Sequence, residues 1–231
     1  MDTTVYQELA KARLGGEFIN LDLLITALTH RSYVNEHRTT VKEHNERLEF
    51  LGDAVLELVV TEYLYATYSE PEGILTNWRS SLVRTESIGA AATRLGFEPL
   101  LRLSRGEKRG TDRARAQILA NSFEAVTGAL YLDKGYEAAK VFITDNILST
   151  FEEILKTGSW MDPKSHLQEV VQSQGGSTPQ YKVMTEEGPD HDKIFTVGVY
   201  VDGLIKGQGT GPSKQSAQVA AAETALKQYK G

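Results

Sequence analysis

Cysteine is absent from the 231 residues, which excludes disulfides, thiolate metal sites and a cysteine nucleophile. Any bound metal must therefore sit on oxygen or imidazole. Long apolar runs are missing as well. Met1 through His30 hold no apolar stretch behind a basic start, and nothing later approaches the length of a bilayer span. No membrane partner is expected, and the expected compartment is the cytoplasm. There is also no excess of basic charge. A formal net charge of −6 argues, taken alone, against a nucleic-acid partner. The distribution says more: up to Asp162 the chain carries 18 basic and 24 acidic residues, and residues 163–231 carry 7 of each. An acidic metal-collecting site with basic residues elsewhere in the same domain produces that balance, and so does an ordinary solvated acidic surface.

What is present is helical periodicity, which runs to about residue 155 without a strand-like alternation. The clearest stretch is Glu46 to Tyr68. Further helices are expected at Leu21–Leu28, Ile74–Leu95, Ala114–Leu132 and Tyr136–Leu155, punctuated by Pro71, Gly73, Gly96, Pro99, Gly110 and Gly135. Residues 1–155 thus read as an all-α domain. Residues 156–163, with Gly158, Ser159 and Pro163, read as a linker whose proline opens a new helix. Residues 164–231 then change period. A helix at Lys164–Gln174 precedes strands at Gln180–Glu186, Ile194–Val201 and Leu204–Gly209, the last two joined by the turn dipeptide Asp202-Gly203. Ser213 is placed to cap a final alanine-rich helix, Lys214–Tyr229. This second domain is α+β, in the order α-β-β-β-α.

Within the Glu46 helix, Glu46, Glu49 and Asp53 fall at i, i+3 and i+7, on one face. Leu48, Phe50, Leu51, Val55, Leu56, Val59 and Val60 cover the rest, so the helix is expected to be largely buried. Carboxylates in that setting repel one another and lose water, a cost met by a metal ion or by basic partners. An exposed acidic edge paired to arginines is the competing reading. A second pair, Asn121 and Glu124, stands at i, i+3 in another apolar helix. Two helices facing each other with oxygen ligands make a hard-cation site suited to magnesium. A di-iron bundle would need Glu-x-x-His, which the sequence lacks.

The run Asn45-Glu46-Arg47-Leu48-Glu49-Phe50-Leu51-Gly52-Asp53-Ala54-Val55-Leu56 resembles the signature motif of ribonuclease III. Leu28-Thr29-His30-Arg31-Ser32 resembles the element before it, and Ile118 to Ala125 the second acidic motif; Glu72-Gly73 matches a further acidic position. The resemblance covers essentially the whole chain. It implies an endoribonuclease for double-stranded RNA, acting as a homodimer in ribosomal- and messenger-RNA processing. On it, Glu49, Asp53, Asn121 and Glu124 hold magnesium, with manganese as a substitute, while Glu46 and Glu72 bind RNA and complete the cleavage centre. One position departs from the pattern: the family usually has aspartate at Asn121. An amide oxygen still ligates magnesium but brings no charge, which leaves a non-catalytic double-stranded-RNA-binding protein as the alternative.

The second domain resembles a double-stranded-RNA-binding domain, which reads A-form shape across two minor grooves and the phosphates between them. That match implies RNA contacts from Ser165, Gln168, Glu169 and Gln172 in its first helix, from His191 in the first loop, and from Ser213 and Lys214 at the start of its last helix. Gln215 stands where the family is usually basic. In the first domain, Arg102, Arg105, Lys108, Arg109, Arg113 and Arg115 lead into the Asn121 helix, either as a solvated loop or as a phosphate contact.

Overall fold

The computed structural model describes residues 3–189 and 193–229 and divides into two compact units, Met1–Ile154 and Leu155–Gly231. In the first unit the helices are α1 (Thr4–Arg13), α2 (Leu21–Ala27), α3 (Arg31–Glu36), α4 (Glu46–Thr67), α5 (Glu72–Val83), α6 (Thr85–Arg94), α7 (Asp112–Lys134) and α8 (Tyr136–Asn146). Helix α9 (Phe151–Thr157) crosses the boundary. The second unit is α10 (Pro163–Ser173), β1 (Gln180–Glu187), β2 (Ile194–Val201), β3 (Leu204–Gly211) and α11 (Lys214–Tyr229). The fold is thus an all-helical unit followed by a three-stranded sheet with flanking helices.

Helices α4 and α7 form the axis of the first unit because glycine lets their backbones meet. A Cβ on Gly52 would run into the Glu124 carbonyl and stand 2.8 Å from the Gly128 nitrogen. One on Gly128 would overlap the Leu48 carbonyl oxygen and lie 3.1 Å from the Gly52 nitrogen. Around this crossing Leu56, Val60, Phe123, Val126 and Leu130 are almost fully buried, each contributing about 1.5–3 kcal/mol by burial. Alanine at either glycine would force the helices apart.

Four expectations need correction. The helix read from Tyr136 to Leu155 ends at Asn146, and a 3-10 turn at Leu148–Thr150 separates it from α9. The helix read from Ile74 to Leu95 is two helices, because Arg84 takes an extended conformation (ψ 153°) between α5 and α6. Helices α1 and α3 are additional; α3 is six residues long with no buried residue, too short to show a period. Helix α4 is buried on one face rather than around its circumference: Phe50 is 82% exposed, and Leu58 and Tyr65 also face solvent.

In the second unit β1, β2 and β3 pair antiparallel in sequence order. Asp202 (φ 52°) and Gly203 (φ 77°) make the left-handed turn that this hairpin requires. Val197, Val199 and Val201 pack against Ala217, Ala221, Ala222 and Ala225 of α11. Gly207 and Gly209 of β3 leave no room for a side chain beneath α11, which explains its alanine-rich face. Asp162 caps α10 by accepting from the Ser165 backbone N–H at 3.1 Å, with Pro163 in the first turn.

Candidate active site

The close crossing of α4 and α7 decides where the acids go. Glu49 and Asp53 lie one turn apart on α4, and Asn121 and Glu124 sit opposite on α7. Burial, then the nearby Asp53 and Glu49 carboxylates, push the pKa of Glu124 up to about 8. Glu49 is also raised, by burial and by Glu46 and Asp53, while a hydrogen bond donated by the Asn121 amide works the other way. The Asn121 carbonyl oxygen in turn accepts from Gln117 Nε2 at 2.7 Å. Glu46 opens α4 and is half-exposed, and its carboxylate bears on Glu49. Five of the six sequence-predicted residues therefore form one interacting group.

Glu72 stands apart from them. It is exposed in the first turn of α5 and lines a separate cavity of about 440 Å³ with Tyr65 and Arg79. Among the described residues, no three histidine, aspartate or glutamate side chains close into a ready cation cage. The donor set nevertheless suits a hard cation, being carboxylate and amide oxygen throughout. Glu124, protonated at neutral pH because it is buried and two carboxylates face it, is the group whose charge a cation would restore.

Sequence reasoning missed Arg31, His44 and Gln117. Arg31 Nη1 lies 3.5 Å from Glu46 Oε1, and His44 Nδ1 lies 3.8 Å from Glu46 Oε2. A signal was available for His44, two residues ahead of Glu46. Gln117 carried only its spacing of four from Asn121.

The basic run divides by role. Arg102 is structural, stacked 4.3 Å from the Tyr33 ring centroid and hydrogen-bonded to Thr29. Arg115 pairs with Glu98 and donates to the Lys108 carbonyl. Arg105, Lys108, Arg109 and Arg113 are exposed and remain available to phosphate.

On α10, Ser165, Gln168, Glu169 and Gln172 are all exposed at i, i+3, i+4 and i+7, one continuous face. Lys214 is exposed but pairs with Glu186 at 3.1 Å, so part of its charge is already matched. Ser213 caps α11, its Oγ accepting from the Ser216 N–H at 3.1 Å. His191 lies outside the described residues. Among the described residues, no helix is long and apolar enough to cross a membrane.

Comparison with known proteins finds two families along the chain. The family described as Ribonuclease-III-like matches residues 20–151, and the double-stranded RNA binding motif matches residues 163–229. A Ribonuclease 3 of Enterococcus faecalis is 46% identical over 98% of both chains. One from Latilactobacillus sakei is 44% identical over the full length of both. Among solved structures, the nuclease domain of ribonuclease III from Campylobacter jejuni superposes with a TM-score of 0.54 at 37% identity, covering 61% of this chain and 96% of that one.

Proposed function

The chain belongs to the ribonuclease III family and is an endoribonuclease for double-stranded RNA, and from that premise we propose that it hydrolyses the phosphodiester with magnesium held between α4 and α7. The observation that carries the reading is Glu124, half-buried and facing Asp53 and Glu49 with its pKa pushed up to about 8. A helix pair gains nothing in stability from such a group, so a functional cause is the economical one.

Glu49, Asp53, Asn121 and Glu124 would hold the ion, magnesium first and manganese as substitute. When bound, such an ion supplies hydroxide near neutral pH and charge stabilisation for the attacking and leaving oxygens. The protein's own residues do the rest. The crossing at Gly52 and Gly128 fixes the spacing of the two acidic pairs, Glu124 gives up its proton as positive charge arrives, and Glu46 and Glu72 meet the RNA strand. Asn121 would reduce the charge of the ligand set without removing its oxygen donors, and the match to ribonuclease 3 relatives over the full chain favours catalysis over the non-catalytic alternative.

Exposed Phe50 favours a homodimer. It sits on the wall of a cavity of about 780 Å³ that carries Leu23, Leu48, Leu51 and Leu132 beside a polar rim including His44 and Glu46, so each subunit offers both an aromatic side chain and a partly apolar recess. The Campylobacter jejuni nuclease domain is described as having a region involved in dimer formation. Exposed Arg105, Lys108, Arg109 and Arg113 would meet phosphates, and the α10 face, His191, Ser213 and Lys214 would meet the duplex grooves. Ribosomal- and messenger-RNA processing in the cytoplasm is the setting this activity fits. Incubating the protein with long labelled duplex RNA tests the reading: cutting is expected in magnesium and not in chelator, and equal cutting in both would contradict it.

A further inference from the structure

The segment Leu28 to Ser32 has no part in the chemistry above, yet it is tied to the start of α4. The Asn45 backbone N–H donates to the Thr29 carbonyl at 2.9 Å, and Asn45 itself is 2% exposed. On the other side, the Arg102 N–H donates to the Leu28 carbonyl at 2.8 Å and the His30 N–H to the Arg102 carbonyl at 3.0 Å. The His30 side chain caps α3, whose first residue is Arg31. This lattice of backbone bonds leaves Glu46 between two donors, Arg31 on one carboxylate oxygen at 3.5 Å and His44 on the other at 3.8 Å.

The His44 contact is unfinished. Its Nδ1 is buried and makes no hydrogen bond, a state that costs free energy until an acceptor closes on it. Hydrogen-bond length is about 2.9 Å, so a shift of roughly 1 Å by the Glu46 carboxylate would complete the contact. His30 lies near the same carboxylate, but burial lowers its pKa, so Arg31 is the permanent charge beside Glu46.

A carboxylate gripped in this way offers only acceptor oxygens and does not attract phosphate. The backbone of duplex RNA offers it one kind of hydrogen-bond donor, the ribose 2′-hydroxyl. We infer that Arg31 and His44 are positioning residues that hold Glu46 to accept a hydrogen bond from a 2′-hydroxyl beside the scissile phosphate, so that the three side chains together verify that the strand is RNA. The inference rests on the reading of Glu46 as part of the cleavage centre.

The test compares kcat/KM on a short hairpin duplex with that on the same duplex carrying single 2′-deoxy replacements next to the cleaved bond. At one such position the parent protein should lose on the order of tenfold, the size of one hydrogen bond to a charged acceptor. Glu46→Ala should lose a similar factor on the all-ribose duplex and nothing more on the replaced one. Arg31→Met and His44→Ala should each lose about threefold on ribose and nothing on deoxyribose, while His44→Asn, which keeps a donor where Nδ1 lies, should recover. Unchanged melting temperatures in the Arg31 and His44 variants would exclude a folding effect. Equal losses on both duplexes, or no recovery in His44→Asn, would overturn the inference. If Glu46→Ala cuts like the parent, the placement of Glu46 in the cleavage centre fails instead.

Discussion

The two units of this chain treat polar groups in opposite ways. Between α4 and α7, acids are crowded and partly desolvated until one of them, Glu124, is protonated at neutral pH. Along α10, Ser165, Gln168, Glu169 and Gln172 are exposed to water, and Lys214 has already found Glu186. On the proposed function, the groups that do chemistry are held in an unfavourable environment by a rigid helix crossing, whereas those that read shape stay solvated, so the strained group would mark the reacting centre and the relaxed face the docking surface.

The sharpest way to separate the two is Glu124→Gln. Cleavage should fall by at least about a thousandfold, the scale of removing a principal electrostatic contributor, while duplex binding measured by filter retention stays within about twofold. Cutting at the parent rate would place the chemistry elsewhere. Removing the relaxed unit is the reciprocal operation. Fragment 1–160 keeps α4, α7 and the exposed Phe50, so it should dimerise and still cut at low salt. Its affinity should drop by about tenfold or more with a flatter salt dependence, since phosphate contacts are lost. A monomeric fragment on sedimentation would end the dimer proposal.

The contrast also has a pH signature. The folded pKa of Glu124 is about 8, above the usual glutamate value of 4.5, and Glu49 shifts in the same direction. Between those values the folded state holds more protons than the unfolded one, so metal-free stability should fall as pH rises from about 4.5 to about 8 and then level off. Glu17, Glu62 and Asp202 have lowered pKa values and act only below that window, where their contribution is lost on acidification, while His30, lowered from 6.5 by burial, opposes the slope in the acidic half of the window. Melting temperatures across pH 5–9 in chelator would show the slope, and Glu124→Gln should flatten it. A smaller effect is expected of Asn121→Asp. The added charge should lower the magnesium concentration for half-maximal rate by about tenfold at most, and superimposable titration curves would remove Asn121 from the ligand set.

Much of this was legible in the sequence because it rests on local periodicity. The i, i+3, i+7 spacing of Glu46, Glu49 and Asp53 and the Asp202-Gly203 turn depend on neighbours only. What the sequence hid depends on contacts distant along the chain. The split at Arg84 is invisible to a periodicity that continues across it. The exposure of Phe50 is hidden because an apolar residue on a helix reads the same in sequence whether it faces solvent or the core. Arg31 and His44 meet at Glu46 through backbone bonds between Thr29, Asn45 and Arg102, and no spacing rule encodes those. Glu72 matched a motif position yet lies at a different cavity, a separation that sequence adjacency to the signature helix could not reveal.

The central claim is that the strained group at the α4–α7 crossing exists to receive a cation, and proton release tests it most directly. Magnesium or manganese titrated calorimetrically into the protein at pH 7, in two buffers of different ionisation enthalpy, reports the protons displaced per ion bound. With Glu124 protonated beforehand, the account predicts release of about one proton in the parent protein and close to none in Glu124→Gln. Ion binding that releases the same number of protons from both proteins, or no ion binding at all, would contradict it.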